Sequence, residues 1–130
     1  MSTDREIFEE FLDAMFGRRW DVAGALLAEN ATWNFPPSMK LPNLEGRRSV
    51  VEFLSTAPDS VYEPGSLRLE PIQISVEDGN AACFAKVYAT TTRGKPYENV
   101  YGFFAKISDG HLDEVFELLD TVSFREQLTA

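Results

Sequence analysis

The chain has 130 residues, 44% hydrophobic and 25% charged, the balance of one soluble domain that buries about two-thirds of its unfolded surface. Its formal net charge of −9, from 21 acidic and 12 basic residues, argues against nucleic acid and against an anionic membrane surface, both of which call for clustered Lys and Arg. The single cysteine, Cys83, rules out an intrachain disulfide and fits a reducing cytoplasm.

The N-terminal stretch MSTDREIFEEFLDAMF is acidic and amphipathic, with neither the basic start nor the apolar block of a signal peptide. No apolar run approaches the roughly 20 residues that span a bilayer. Residues 3–16 predict a helix. Thr3 can cap it, and Glu6 stands three residues on, as a capping box requires. Ile7, Phe8, Phe11, Leu12, Met15 and Phe16 form its apolar stripe, and Gly17 ends it. Residues 20–27 predict a second, short helix. ATWNF is a short strand stopped by Pro36 and Pro37. SMKLPNLEG is loop with room for a small hairpin. Residues 49–57 predict a third helix, and DSVYEPG is loop again.

After Gly65 the hydrophobic period changes to two. SLRLEPIQISVE carries Leu67, Leu69, Ile72, Ile74 and Val76, with a phase slip at Pro71 that suggests a bulge. DGN, RGKP and SDG are turns separating the β-rich runs AACFAKVYATTT and YENVYGFFAKI from the final stretch. That stretch, DGHLDEVFELLD at 109–120, reads two ways. As a helix, Leu112, Val115, Phe116 and Leu119 share a stripe and Glu117 is solvated. As a strand, Val115, Glu117 and Leu119 share a face, and Glu117 can point into an apolar interior. The spacing of the tight turns favours a fourth meander strand over residues 111–120. The architecture is then α+β, helices first and a long curled antiparallel sheet after them, with a cone-shaped cavity between.

Three segments carry a resemblance to a known family. RRWDVAGALLAENATWNFP is similar to a pattern of helix, ALLAEDA, strand and Pro. LEGRRSVVEFL places Gly and Arg before the third helix. GKPYENVYGFFAKISDGHLDEVFELLD resembles GrpY-n-y-vf-f-DGkI--wreyfD. Together and in this order they resemble the SnoaL-like branch of the NTF2-like superfamily, which also holds ketosteroid isomerases, limonene epoxide hydrolases and SnoaL-type polyketide cyclases. The resemblance covers nearly the whole chain. It implies one domain over residues 1–130 with a cone-shaped, cystatin-like α+β fold.

The resemblance does not supply a mechanism. Where ketosteroid isomerases place an Asp base before the Pro ending the first strand, this chain has Phe35, and their first-helix Tyr falls at Phe11. The Arg-x-Asp pair of limonene epoxide hydrolases falls at Phe84 and Lys86. Their last-strand Asp falls at Glu117, and an Asn near the end of their first strand falls at Asn34. The polyketide cyclases use an Asp as acid in an apolar pocket, a part open here to Glu117 or Asp120.

Each candidate has a bland alternative. Glu117 on a concave face between Val115 and Leu119 would be desolvated and its pKa raised, as a general acid or base requires; the alternative is a solvated or salt-bridged Glu. Lys86, alternating with Phe84 and Tyr88, would share that face and pull the Glu117 pKa back down, or else face outward. Asn99 and Tyr101 are two apart and share a face, where they would orient a substrate oxygen or make cross-strand hydrogen bonds. Asp120 is a second carboxylate, or the cap of a terminal turn before VSFREQL. Trp33, Phe35, Phe53, Tyr62 and Tyr88 are candidates to line the pocket or simply to pack. No His or Cys cluster has metal-ligand spacing and no glycine-rich phosphate loop occurs, so neither a metal nor another cofactor is expected. The expectation is a cofactor-independent isomerase, cyclase or hydrolase acting on a small hydrophobic molecule that bears a carbonyl or epoxide. A non-catalytic ligand-binding or structural dimer is the alternative. On either reading the outer sheet face, with Val100 and Phe104, predicts a homodimer.

Overall fold

The computed structural model describes residues 2–129. The first helix, α1, spans Asp4–Phe16 and starts where the capping box places it. Thr3 Oγ1 accepts the Glu6 N–H at 3.1 Å, and Glu6 Oε1 accepts the Thr3 N–H at 2.9 Å. The stripe Ile7, Phe8, Phe11, Leu12 and Met15 is buried. At Gly17 a Cβ would stand 2.9 Å from the Asp13 carbonyl oxygen, so only glycine fits without a shift. The chain turns at the next residue, Arg18, in the left-handed region at φ 60°.

Helix α2 (Trp20–Leu26) runs directly into strand β1 (Leu27–Asn34), which is longer than the five residues of ATWNF. A 3-10 turn at Pro37–Met39 and the two-residue strand β2 (Leu44–Glu45) follow, and β2 pairs antiparallel with β1. Helix α3 (Arg47–Thr56) starts two residues before the sequence expectation. Gly46 at φ 91° makes the corner, and the Arg47 guanidinium donates to the Leu27 carbonyl at 2.7 and 2.9 Å. A second 3-10 turn covers Ala57–Ser60.

Strands β3 (Arg68–Glu77), β4 (Asn80–Thr90), β5 (Pro96–Ser108) and β6 (His111–Leu119) form the meander. Two of its turns are two-residue hairpins, Asp78-Gly79 and Asp109-Gly110, with positive φ at both positions. That backbone twist matches the twist of the flanking strands. The β3–β4 register slips between Pro71 and Gln73. The helical periodicity of residues 112–119 is thus overruled by tight turns and by pairing. Strand β6 pairs parallel with β1, giving the order β2-β1-β6-β5-β4-β3 in an open, curved sheet. A short helix, α4 (Thr121–Thr129), closes the chain.

Alternation sorts the side chains. Ala81, Cys83, Ala85, Val87 and Ala89 of β4 face inward, and so do Tyr97, Asn99, Tyr101, Phe103, Ala105 and Ile107 of β5. The core forms where α1 meets this face. Trp33 packs between Phe11 and Phe103, at ring distances of 6.1 and 6.4 Å. No helix of the described residues is long and apolar enough to cross a membrane.

Candidate functional site

The helices do not fill the concave face. They leave a cavity of about 260 Å³. Its walls come from the end of α1 (Met15, Phe16), α3 (Phe53, Leu54), the segment Ala57–Glu63, and α4 through Phe124. The sheet contributes Val87, Tyr101, Phe103 and Glu117. Phe35 packs against Phe53 across one side, with ring centroids 5.2 Å apart and the planes tilted by 57°. The lining is overwhelmingly apolar, so any polar group in it is conspicuous.

Glu117 is the one carboxyl that the sheet contributes. In the β5–β6 register it stands opposite Phe103. In the parallel β1–β6 register Trp33 pairs with Val115, which sets the indole one step from the carboxyl. Trp33 Nε1–H donates to Glu117 Oε1 at 3.1 Å. Glu117 keeps some accessible surface because it lines the cavity, but packed protein surrounds its carboxyl. Burial pushes its pKa up to about 7, with the Trp33 hydrogen bond opposing the shift. A carboxyl that titrates near neutrality can both give and take a proton.

Beside it lie three phenols. Tyr97 Oη and Tyr101 Oη are 3.1 Å apart, and Asn99 Nδ2 donates to Tyr97 Oη at 2.8 Å. Tyr62, from the loop after α3, packs its ring 5.0 Å from Tyr97. Its hydroxyl is fully buried beside the other two phenols and makes no hydrogen bond of good geometry to them. Burial first, and the neighbouring tyrosines next, hold the Tyr62 and Tyr101 phenols well above their ordinary pKa. Both therefore stay protonated at any working pH.

Of the residues singled out from sequence, Glu117, Tyr101, Tyr62, Phe35 and Phe53 line the cavity. Trp33 lies behind Glu117 and acts through it. Five others do not line the cavity. Lys86 and Tyr88 are on the convex face, because the small residues of β4, not its aromatic ones, face inward. Lys86 Nζ is 3.7 Å from Glu98 Oε1 there and does not pair with Glu117, while Tyr88 lies under the Arg68 guanidinium. Asp120 does not line the cavity. Its Oδ1 accepts the Val122 and Ser123 N–H groups at 3.1 and 3.0 Å and caps α4. Asn34 donates to the Val115 carbonyl at 3.1 Å and so fastens β1 to β6. Asn99 faces inward but does not line the cavity. Its amide is used within the protein, on Tyr97 and on the Asp120 carbonyl.

Sequence reasoning missed Tyr97, the middle phenol, although YENVY places it in phase with Asn99 and Tyr101. It also missed Arg18 and Asp59, which line the cavity and form a bidentate pair at 2.9 and 3.1 Å. Only the left-handed Arg18 brings them together, and no periodicity signals that. Among the described residues no group of three His, Cys, Asp or Glu side chains is placed to hold a metal ion.

Known proteins share this architecture. An NTF2-like protein of unknown function from Burkholderia pseudomallei K96243 superposes with a TM-score of 0.88 over all of both chains at 19% identity. TerC, crystallised with polyporic acid, gives 0.88 at 20% identity over 99% of this chain and 100% of its own. An LEH-like epoxide hydrolase of M. tuberculosis gives 0.78 at 13% identity over 97% and 89%. At such identities the likeness is one of fold. No curated protein matches the chain. The SnoaL-like domain model matches residues 8–115, and with that span the chain belongs to the SnoaL-like family of NTF2-like proteins.

Proposed function

We propose that this protein is a cofactor-independent enzyme that uses Glu117 for proton transfer on a small hydrophobic molecule bearing a carbonyl or epoxide. The observation that carries this is a desolvated carboxyl with no ion-pair partner, raised to about 7, in the wall of a largely apolar cavity. An unpaired buried carboxyl is costly to a fold and gains its use from the proton it moves. Structural neighbours include an LEH-like epoxide hydrolase and a protein crystallised with polyporic acid, which supports a small-molecule pocket. The test is Glu117→Gln, which keeps shape and the Trp33 acceptor. On a substrate found by screening carbonyl and epoxide compounds, turnover falls about a hundredfold or more, the scale of one general acid or base, while ligand affinity changes little. Unchanged turnover leaves a non-catalytic binding protein as the account.

The same reading extends to assembly and setting. Phe84, Val100, Phe104, Phe116 and Leu118 are exposed on the convex face. The register joins them, with Phe104 opposite Phe116, and Gly102 between Phe84 and Leu118. Such a patch supports a twofold dimer through the sheet. The lone buried Cys83 supports a cytoplasmic setting.

A further inference from the structure

Arg18 stands in a conformation that suits glycine. Its φ of 60° follows the end of helix α1, where a left-handed glycine commonly closes a helix. Gly17 comes one residue too early to take that place and has φ −81°. A side chain in the left-handed region strains the backbone, and such strain persists where the side chain is held elsewhere. Arg18 is held across the cavity. Its Nη1 and Nη2 donate to Asp59 Oδ1 and Oδ2 at 2.9 and 3.1 Å, 41 residues further on. The adjacent Arg19 is taken by Asp13 at 2.7 Å, so the two arginines serve different partners.

Asp59 does not need this bond to keep its place. It lies in the 3-10 turn Ala57–Ser60, which is anchored on both sides. The Ala57 N–H bonds the Phe53 carbonyl of α3. Beyond the turn, Glu63 N–H donates to the Thr90 carbonyl at 2.8 Å, and Thr92 N–H to the Val61 carbonyl at 3.0 Å. Arg18 and Asp59 both line the cavity, yet their side chains are 36% and 33% exposed. They therefore stand where the cavity meets solvent, with Ser60 and Glu63 exposed in the same wall. A pair this exposed breaks and reforms at little cost. While formed, its two-pronged bond fixes the guanidinium plane. Once broken, the long Arg18 stem swings into solvent and no backbone has to move.

Resting on the reading that this cavity takes a small hydrophobic molecule, we propose that the Arg18–Asp59 pair is a side-chain gate across the cavity's opening. It sets how fast a molecule enters and leaves, and takes no part in what happens to it. The pair forms in the empty and in the occupied protein alike. Breaking it therefore raises both rates together and leaves affinity almost unchanged.

The test follows entry and exit of the neutral fluorophore N-phenyl-1-naphthylamine by stopped flow on the full chain. The signal is energy transfer from tryptophan, Trp20 being in the cavity wall. Arg18→Gly gives the position the residue its conformation suits, so the variant folds. Its association and dissociation rates both rise about fivefold, the scale of one exposed ion pair, and affinity stays within about twofold. Asp59→Asn acts alike. In the native protein the same rates rise between about 0.1 and about 1 M NaCl, as the pair is screened, and in Arg18→Gly they do not. Rates unmoved by both substitutions overturn the gate, as does a rise in Arg18→Gly that Asp59→Asn does not share. If 1-naphthoate loses about tenfold in affinity in Arg18→Gly while the neutral probe's rates stand, Arg18 is an anchor for anions and the gate is overturned. A native chain that takes up no probe overturns the gate together with the pocket it rests on. The acid/base reading fails separately. If the probe rates respond but Glu117→Gln leaves turnover intact, the gate stands and that reading goes. If Glu117→Gln abolishes turnover while the probe rates are indifferent, the reverse holds.

Discussion

The two faces of one sheet break the burial rule in opposite ways. On β6 the inward residues are Val115, Glu117 and Leu119, and the outward ones include Phe116 and Leu118. A carboxyl is inside and two large apolar side chains are outside, 43% and 46% exposed. A sheet evolved only to be stable would reverse them. The departures differ in kind, however. The inner one is a single group in a largely apolar cavity, where surroundings change its chemistry. The outer one is spread over three strands, where only area counts. The first suits a ligand and a reaction, and the second suits another surface.

Substitutions can separate the two faces, and the largest effect belongs to the outer one. Phe104→Asp combined with Phe116→Asp puts two charges at the centre of the convex patch. Dimer affinity measured by light scattering falls by about two to three orders of magnitude, as when central hot spots are lost. The Glu117 transition on the inner face does not move. A native chain that is already monomeric at micromolar concentration breaks the comparison.

The inner face gives the next effect, through stability. The folded pKa of Glu117 is about 7, and the unfolded value is about 4.3. Between these the folded state binds the extra proton, so stability falls as pH rises through the window and levels off above it. Glu117→Gln removes this loss. It stabilises the protein by about 3 kcal/mol at pH 8 and by almost nothing at pH 4, as urea melts at the two pH values can show. Equal effects at both pH values mean that the carboxyl is solvated.

Asp120 sharpens the contrast, being a carboxylate three residues further on in an ordinary role. Asp120→Ala costs about 1 kcal/mol through the lost α4 cap, and turnover stays within about twofold. The smallest effect is at Lys86, whose surface pair with Glu98 is long and exposed. Lys86→Ala changes stability by about 0.5 kcal/mol or less, and titration of Glu117 followed by NMR is unaltered. A shifted Glu117 transition in this variant would return Lys86 to the inner face.

How much of this could be read in the sequence follows from the same faces. The meander was legible because its turns are local: DG twice, and a Pro that cannot donate at the β3 slip. The strand state of residues 111–119 followed from those turns against a good helical period. Which way β4 faces was not legible. Both of its phases are apolar, Ala81-Cys83-Ala85-Val87-Ala89 against Phe84 and Tyr88, so alternation alone leaves Lys86 inward or outward. The inward phase is small because helices approach it. Asn99 and Tyr101 were in the right phase, but whether an amide serves a ligand or a neighbour depends on atoms that alternation does not fix. The Trp33–Glu117 bond depends on a parallel register between distant strands, and Arg18 reaches Asp59 only through one left-handed residue.

The parallel pairing of β1 with β6 has a kinetic consequence. Trp33 and Glu117 are 84 residues apart in the chain, whereas the hairpins of the meander close over connections of two to five residues. Loop-closure entropy delays contacts between distant segments, so the meander can form before β1 docks along β6. Until β1 docks, the carboxyl lacks the indole and much of its cover and behaves as an ordinary acid. The late step of folding is therefore the one that takes up a proton near neutral pH. A refolding experiment in weakly buffered solution with a pH indicator should show proton uptake lagging behind the β-sheet signal and coinciding with the change in tryptophan emission.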